Sequence, residues 1–176
     1  MSENVFINIK NRSVAITADV EIPKGGADGV ILCQGGRVGG FSLYLKGGKP
    51  MYVYNWLGMQ RYLVASAQAV PPGKATIRFE FAYDGGGLAK GGNVTLYYDG
   101  RSVGSGRVAM TQPMVFSMDE TTDIGHDSGT PVSPDYSVHA SKFTGKIHWV
   151  QLDVGVDDND HFISPEERLR IAMARQ

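Results

Sequence analysis

Alternation with a period of two, broken repeatedly by glycine, is what most limits the folds open to this chain. Val14, Ile16, Ala18, Val20 and Ile22 alternate with Ala15, Thr17, Asp19 and Glu21. A strand with that pattern puts one face in a core and the other in water. Ala75 to Tyr83 repeats it, with Ile77, Phe79 and Phe81 facing one way and Arg78, Glu80 and Ala82 the other. Phe41, Leu43 and Leu45 alternate up to the turn signal Lys46, Gly47, Gly48, so residues 41–56 read as a hairpin. Asn93 to Tyr98 and Arg101 to Gly106 flank Asp99 and Gly100, a strong hairpin turn. Gly29 to Cys33, Val108 to Met118 and Gly145 to Val154 complete the set.

About ten short strands with tight turns predict an all-β fold, a two-layer sandwich of antiparallel sheets. Glycine accounts for 23 of the 176 residues, well above the usual ~7%, as such turns require. The length suits one domain, residues 1–176, and is enough to bury a full core. Ser164, Pro165 and Glu167 form a capping box before Leu169, Ile171, Ala172 and Met173, which predicts a short C-terminal helix at about residues 165–174. Residues 119–144 form the longest irregular stretch, a length usually tied to function or disorder.

Several functions are excluded early. With 17 basic and 18 acidic residues, the chain has no general electrostatic grip on nucleic acid or anionic lipid. No apolar run approaches the ~18 residues of a membrane span. The start, Met1 to Val5, has neither a basic nor an apolar leader region, so no signal peptide is expected in this chain, leaving the bacterial cytoplasm or periplasm. The histidines lack zinc-ligand spacing, and no serine lies in a G-x-S-x-G elbow.

Four features could carry ligands. Tyr52, Tyr54 and Trp56 share one strand face by parity, with Arg61 close in sequence. They could grip a sulfated or carboxylated sugar, or that face could pack a core or a neighbouring domain. Asp119, Asp123 and Asp127 recur every four residues, with Glu120 among them. Such a loop could hold calcium, or be a solvated loop held by Asx turns. Val156 to Glu167 resembles an EF-hand loop but has valine for the first carboxylate and His161 for the turn glycine. Cys33 and Arg37 in the run CQGGR resemble a sulfatase nucleophile motif, but Gly35 stands at its proline position, and a buried free thiol ending a strand is the favoured reading of Cys33. Paired carboxylates at glycosidase spacing are lacking in residues 119–127, which leaves a glycan hydrolase or lyase as the least supported reading.

An ordered set of runs suggests a family. Ile9 to Ser13 (IKNRS), Gly29 to Arg37 (GVILCQGGR), Gly40 to Tyr44 (GFSLY) and Phe79 to Gly87 (FEFAYDGGG) belong to it. So do Val94 to Gly100 (VTLYYDG), Asp123 to Val132 (DIGHDSGTPV) and Ile163 to Arg170 (ISPEERLR). Together they resemble the C-terminal region of large bacterial arylsulfatases, over nearly the whole chain. The resemblance implies a concanavalin A-like jelly-roll sandwich and a non-catalytic accessory module, since no catalytic motif of the family matches here. It implies a sulfatase parent polypeptide whose catalytic domain is the partner, and a sulfated sugar or aryl sulfate that the two together position; the 119–136 loop, the glycine-rich connection from Asp84 to Gly92, and Tyr54, Trp56 and Arg61 are the candidates for that contact. A free-standing lectin-like carbohydrate-binding domain is the alternative.

Overall fold

The computed structural model describes residues 1–117 and 120–155, so the expected helix at residues 165–174, the EF-hand-like run and Asp119 lie outside the described residues. Among the described residues ten strands form two antiparallel five-stranded sheets. In chain order they are β1 (Val14–Ile22), β2 (Gly29–Gly36), β3 (Gly39–Lys46), β4 (Lys49–Trp56), β5 (Gln60–Ala65), β6 (Gly73–Tyr83), β7 (Gly92–Tyr98), β8 (Arg101–Val108), β9 (Thr122–Ile124) and β10 (Lys146–Val154). The first sheet runs β10-β1-β6-β7-β8 and the second β5-β4-β3-β2-β9. This is the sandwich that the alternation predicts.

The inner faces meet as the parity of the sequence dictates. Ile16, Ala18 and Val20 of β1, Ile77 and Phe79 of β6 and Leu96 of β7 pack against Phe41, Leu43, Tyr52 and Tyr54 of the second sheet. The Phe79 and Tyr52 rings stack across the layers with centroids 4.0 Å apart and planes 22° apart. Along one side β5 lies close to β8, where a Cβ on Gly104 would come within 2.5 Å of the Ala65 carbonyl oxygen.

The glycines of the CQGGR run are needed by the β2–β3 hairpin. Gly35 and Gly40 are paired at φ of +84° and +140°, and a Cβ on Gly40 would sit 2.1 Å from the Gln34 carbonyl oxygen. No side chain fits there. Cys33 lies buried in β2 with its thiol directed at the His126 carbonyl oxygen at 3.6 Å. Burial pushes the thiol pKa far up, and nearby Asp127 and Asp123 add to the rise. It is a packed thiol, not a nucleophile.

Besides β5, which the sequence reading does not expect, two strand assignments differ from expectation. The run Val108 to Met118 was expected as a strand, but β8 stops at Val108 and residues 109–117 form none. Side chains satisfy that segment's backbone instead. Tyr54 accepts the Gln112 N–H at 2.7 Å, and Glu3 accepts the Phe116 N–H at 2.9 Å. The 119–144 stretch contains a short strand, β9, which pairs Asp123 with Cys33.

Candidate functional site

The two outer faces of the sandwich differ completely. On the second sheet, Val30, Cys33, Tyr44, Met51 and Val53 form a second apolar cluster with Val132, and Tyr136 packs against it. Part of the long loop therefore covers this face. Carboxylates tie the loop down. Asp127 accepts the Val132 N–H at 3.1 Å and the Tyr136 hydroxyl at 2.9 Å. Asp135 accepts from the Tyr44 hydroxyl at 2.6 Å and from Lys46 at 2.5 Å. Glu120 accepts the Thr130 hydroxyl at 2.6 Å, and Asp123 accepts from Ser128 and Thr121.

This arrangement accounts for the acidic run. Glu120, Asp123 and Asp127 each accept hydrogen bonds from residues five to ten positions further along their own loop, not in the Asx turns of the sequence reading. Among the described residues no group of three acidic, histidine or cysteine side chains converges in a way that could hold a metal ion. Asp127 is 1% exposed, and burial raises its pKa above the ordinary carboxylate value. Burial also works to raise Asp123, but hydrogen bonds from Ser128 and Thr121 outweigh it and hold the group low.

The aromatic trio is corrected by the fold. Tyr54 is 6% exposed in the sandwich core, and Trp56 packs against that core. The shared face read from parity is the inner face, so Tyr54 and Trp56 are no sugar platform. Arg61 sits apart from them on the opposite face of β5, with Nε 3.5 Å from the Val132 carbonyl oxygen.

The outer face of the first sheet carries no such cover among the described residues. Its side chains form rows across the strands, set by register. One row holds Trp149, Asp19 and Thr76; the next holds Gln151, Thr17, Arg78 and Tyr97; the third holds Asp153, Ala15, Glu80 and Thr95. Arg78 organises the middle. Its Nε donates to Glu80 at 2.8 Å, and its Nη1 donates to Thr17 at 2.6 Å and Asp153 at 3.3 Å. The Tyr97 hydroxyl donates to Glu80 at 2.9 Å, and Gln151 donates to Asp153 at 2.8 Å.

Small side chains at Ala15 and Ala82 leave a hollow of about 390 Å³ whose rim includes Glu80, Asp153 and Ser13. At the other end stands Trp149, 46% exposed on β10. Asp153 lies four positions along the strand from Trp149, about 13 Å away. A register shift between Asp19 and Val20 places His148 as an extra residue beside Trp149, and His148 lies 3.5 Å from Glu21.

Two carboxylates of this face, Glu80 and Asp153, are held in their ionised form. Glycoside hydrolysis needs one carboxyl group held protonated as the general acid. The Arg78 and Tyr97 hydrogen bonds hold Glu80 below the ordinary carboxylate range, and Gln151 and Arg78 do the same for Asp153. Both groups are ionised at neutral pH. Because their folded pKa values are lowered, the stability they contribute is full above about pH 4 and is lost as pH falls through the folded values. Thermal melts from neutral to acid pH should therefore show an acid loss that Arg78→Met reduces. The change should be small, since these groups are largely exposed.

No protein-family model matches the sequence, and no curated protein sequence matches it. Solved structures do match in fold. The CBM40 domain of the Ruminococcus gnavus IT-sialidase, bound to α2,3 sialyllactose, superposes with a TM-score of 0.54 at 16% identity, over 85% of this chain and 81% of that one. Mouse laminin α1 chain domains LG4-5 give 0.58 at 13% identity, over 86% of this chain and 38% of the other. The NanB sialidase of Streptococcus pneumoniae gives 0.57 at 14%, over 89% of this chain and 24% of the other. None of the three is a sulfatase. Identities this low establish the fold alone, and the chain is a jelly-roll sandwich. Among the described residues no helix is long and apolar enough to cross a membrane.

Proposed function

We propose that this chain is a non-catalytic, lectin-like carbohydrate-binding domain whose ligand lies on the open outer face of the first sheet. The observation that carries the reading is Trp149, a large aromatic ring left 46% exposed on an otherwise polar sheet face. Such a ring offers a sugar its apolar stacking surface. Thr17 and Gln151 in the next row, and Glu80 and Asp153 further along, offer hydrogen-bonding groups for hydroxyls. The fold likeness to a CBM40 domain bound to sialyllactose agrees with this use of the sandwich. The test is binding of the isolated chain to immobilised glycans and insoluble polysaccharides. Saturable binding should weaken at least ~tenfold in Trp149→Ala, since stacked aromatic contacts are among the strongest single contributions to recognition. The circular dichroism spectrum should not change. Binding untouched by that substitution, or no binding at all, overturns the reading.

A second reading keeps the resemblance to arylsulfatase C-terminal regions, and one observation favours it. Val38 and Met59 are exposed and Leu57 is 42% exposed, on the adjoining β2–β3 and β4–β5 turns, where a Cβ on Gly58 would lie 3.6 Å from the Val38 Cα. Leu57 holds a left-handed backbone at φ 55°, a conformation that favours glycine or asparagine. An exposed apolar tip kept at that cost suits docking on a catalytic domain, which would then position a sulfate ester. An antibody against the domain should in that case detect a polypeptide several times larger in the source cells. A band at 19.0 kDa would count against it.

A further inference from the structure

Resting on the carbohydrate-binding reading, we infer that the open face selects neutral glycans and disfavours sialylated, uronated or sulfated ones. The charges along the path from Trp149 to the hollow carry the argument. Asp19 stands directly across from Trp149, and Glu80 and Asp153 flank Ala15 further along. The single guanidinium among them, Arg78, already donates from Nε and Nη1 to Glu80, Thr17 and Asp153. Between Trp149 and the hollow, three carboxylates therefore face one cation that is bound within the sheet, while Lys74 and Lys146 lie on the other side of Trp149, in the row of Glu21. A ligand anion laid along this path would meet like charge at both its ends, at Asp19 and at Glu80 and Asp153.

A neutral sugar meets the complementary arrangement. Its apolar ring face can stack on Trp149 while its hydroxyls donate to carboxylate oxygens, which only accept. Asp19 is the best placed of these. Glu80 and Asp153 are engaged by Arg78, Tyr97 and Gln151, whereas Asp19 has no hydrogen-bond or ion-pair partner among the described residues. It is half-buried, next to the exposed ring. A carboxylate accepting from vicinal hydroxyls forms charge-assisted bonds, stronger than neutral ones. The specificity thus differs from that of the structurally similar CBM40 domain, whose bound ligand is sialyllactose.

The test is calorimetry of the whole chain against neutral oligosaccharides of glucose, galactose and mannose, each beside its sialylated or sulfated counterpart. At least one neutral oligosaccharide should bind, its anionic counterpart should bind at least ~tenfold more weakly, and the neutral affinity should hold steady as salt is raised. Asp19→Ala should weaken neutral binding ~tenfold or more, and Asp19→Lys should narrow the preference against anions. Anionic glycans bound as well as or better than neutral ones overturn this inference while leaving the carbohydrate-binding reading intact. No binding to any glycan of either kind overturns both.

Discussion

Replacing Phe79 by alanine is expected to destabilise the domain by about 3–5 kcal/mol. Phe79 is 1% exposed at the centre of the sandwich. Its ring stacks on Tyr52 of the opposite sheet at 4.0 Å. Truncation removes the buried area and leaves a cavity between two sheets that cannot close on it, because each is fixed by its own ladder. A loss of that size is a large part of the ~5–15 kcal/mol that holds a typical domain together. Urea titrations followed by tryptophan fluorescence should show a much lower midpoint. The conservative Phe79→Leu should recover most of it. A change below about 1 kcal/mol for Phe79→Ala would mean that the layers do not meet at this ring.

The second large effect lies in the loop that covers the other sheet. Asp127→Ala should cost about 2–3 kcal/mol, because it leaves the buried Val132 N–H without an acceptor. Tyr136 loses less, since its hydroxyl also lies 2.9 Å from Ser42. Asp127→Asn should be nearly neutral. The amide oxygen can still accept, and the charge that burial opposes is gone. The same raised pKa fixes the sign of its pH dependence. A carboxyl group that binds its proton more tightly when folded loses stability as pH rises from its unfolded to its folded value. Equilibrium unfolding of both variants, with hydrogen exchange at the Val132 amide, separates the two outcomes. Equal losses in alanine and asparagine variants would contradict the hydrogen-bonding role.

The fold was largely legible because the residues of β1 and β6 alternate along most of their length, with Ala15 and Ala82 the exceptions. The covered sheet was harder to read. β2, β3 and β4 are buried on both faces, so their side chains do not separate into core and solvent sets. The parity of Tyr52, Tyr54 and Trp56 was correct, but parity names two faces without saying which is inside. β5 escaped notice because its outward-facing Leu63 is apolar and 53% exposed, which hides the inward pair Tyr62 and Val64. Trp149 was missed although a signal existed. Val150, Leu152 and Val154 alternate with Trp149, Gln151 and Asp153, so the tryptophan falls on the polar parity. That mismatch marks an aromatic ring left to solvent. No sequence pattern announced Arg78 as the organiser of the face, because its partners Thr17, Glu80 and Asp153 come from three strands.

The most direct test of the carbohydrate-binding account is to map a bound glycan residue by residue, by amide chemical shifts of the labelled chain during titration with its best-binding oligosaccharide. The account predicts that the largest shifts fall on Thr17, Asp19, Arg78, Trp149 and Gln151, with the Trp149 indole N–H among them. Shifts centred instead on the 125–137 loop or on the turns bearing Val38, Leu57 and Met59 would place the ligand elsewhere and contradict it.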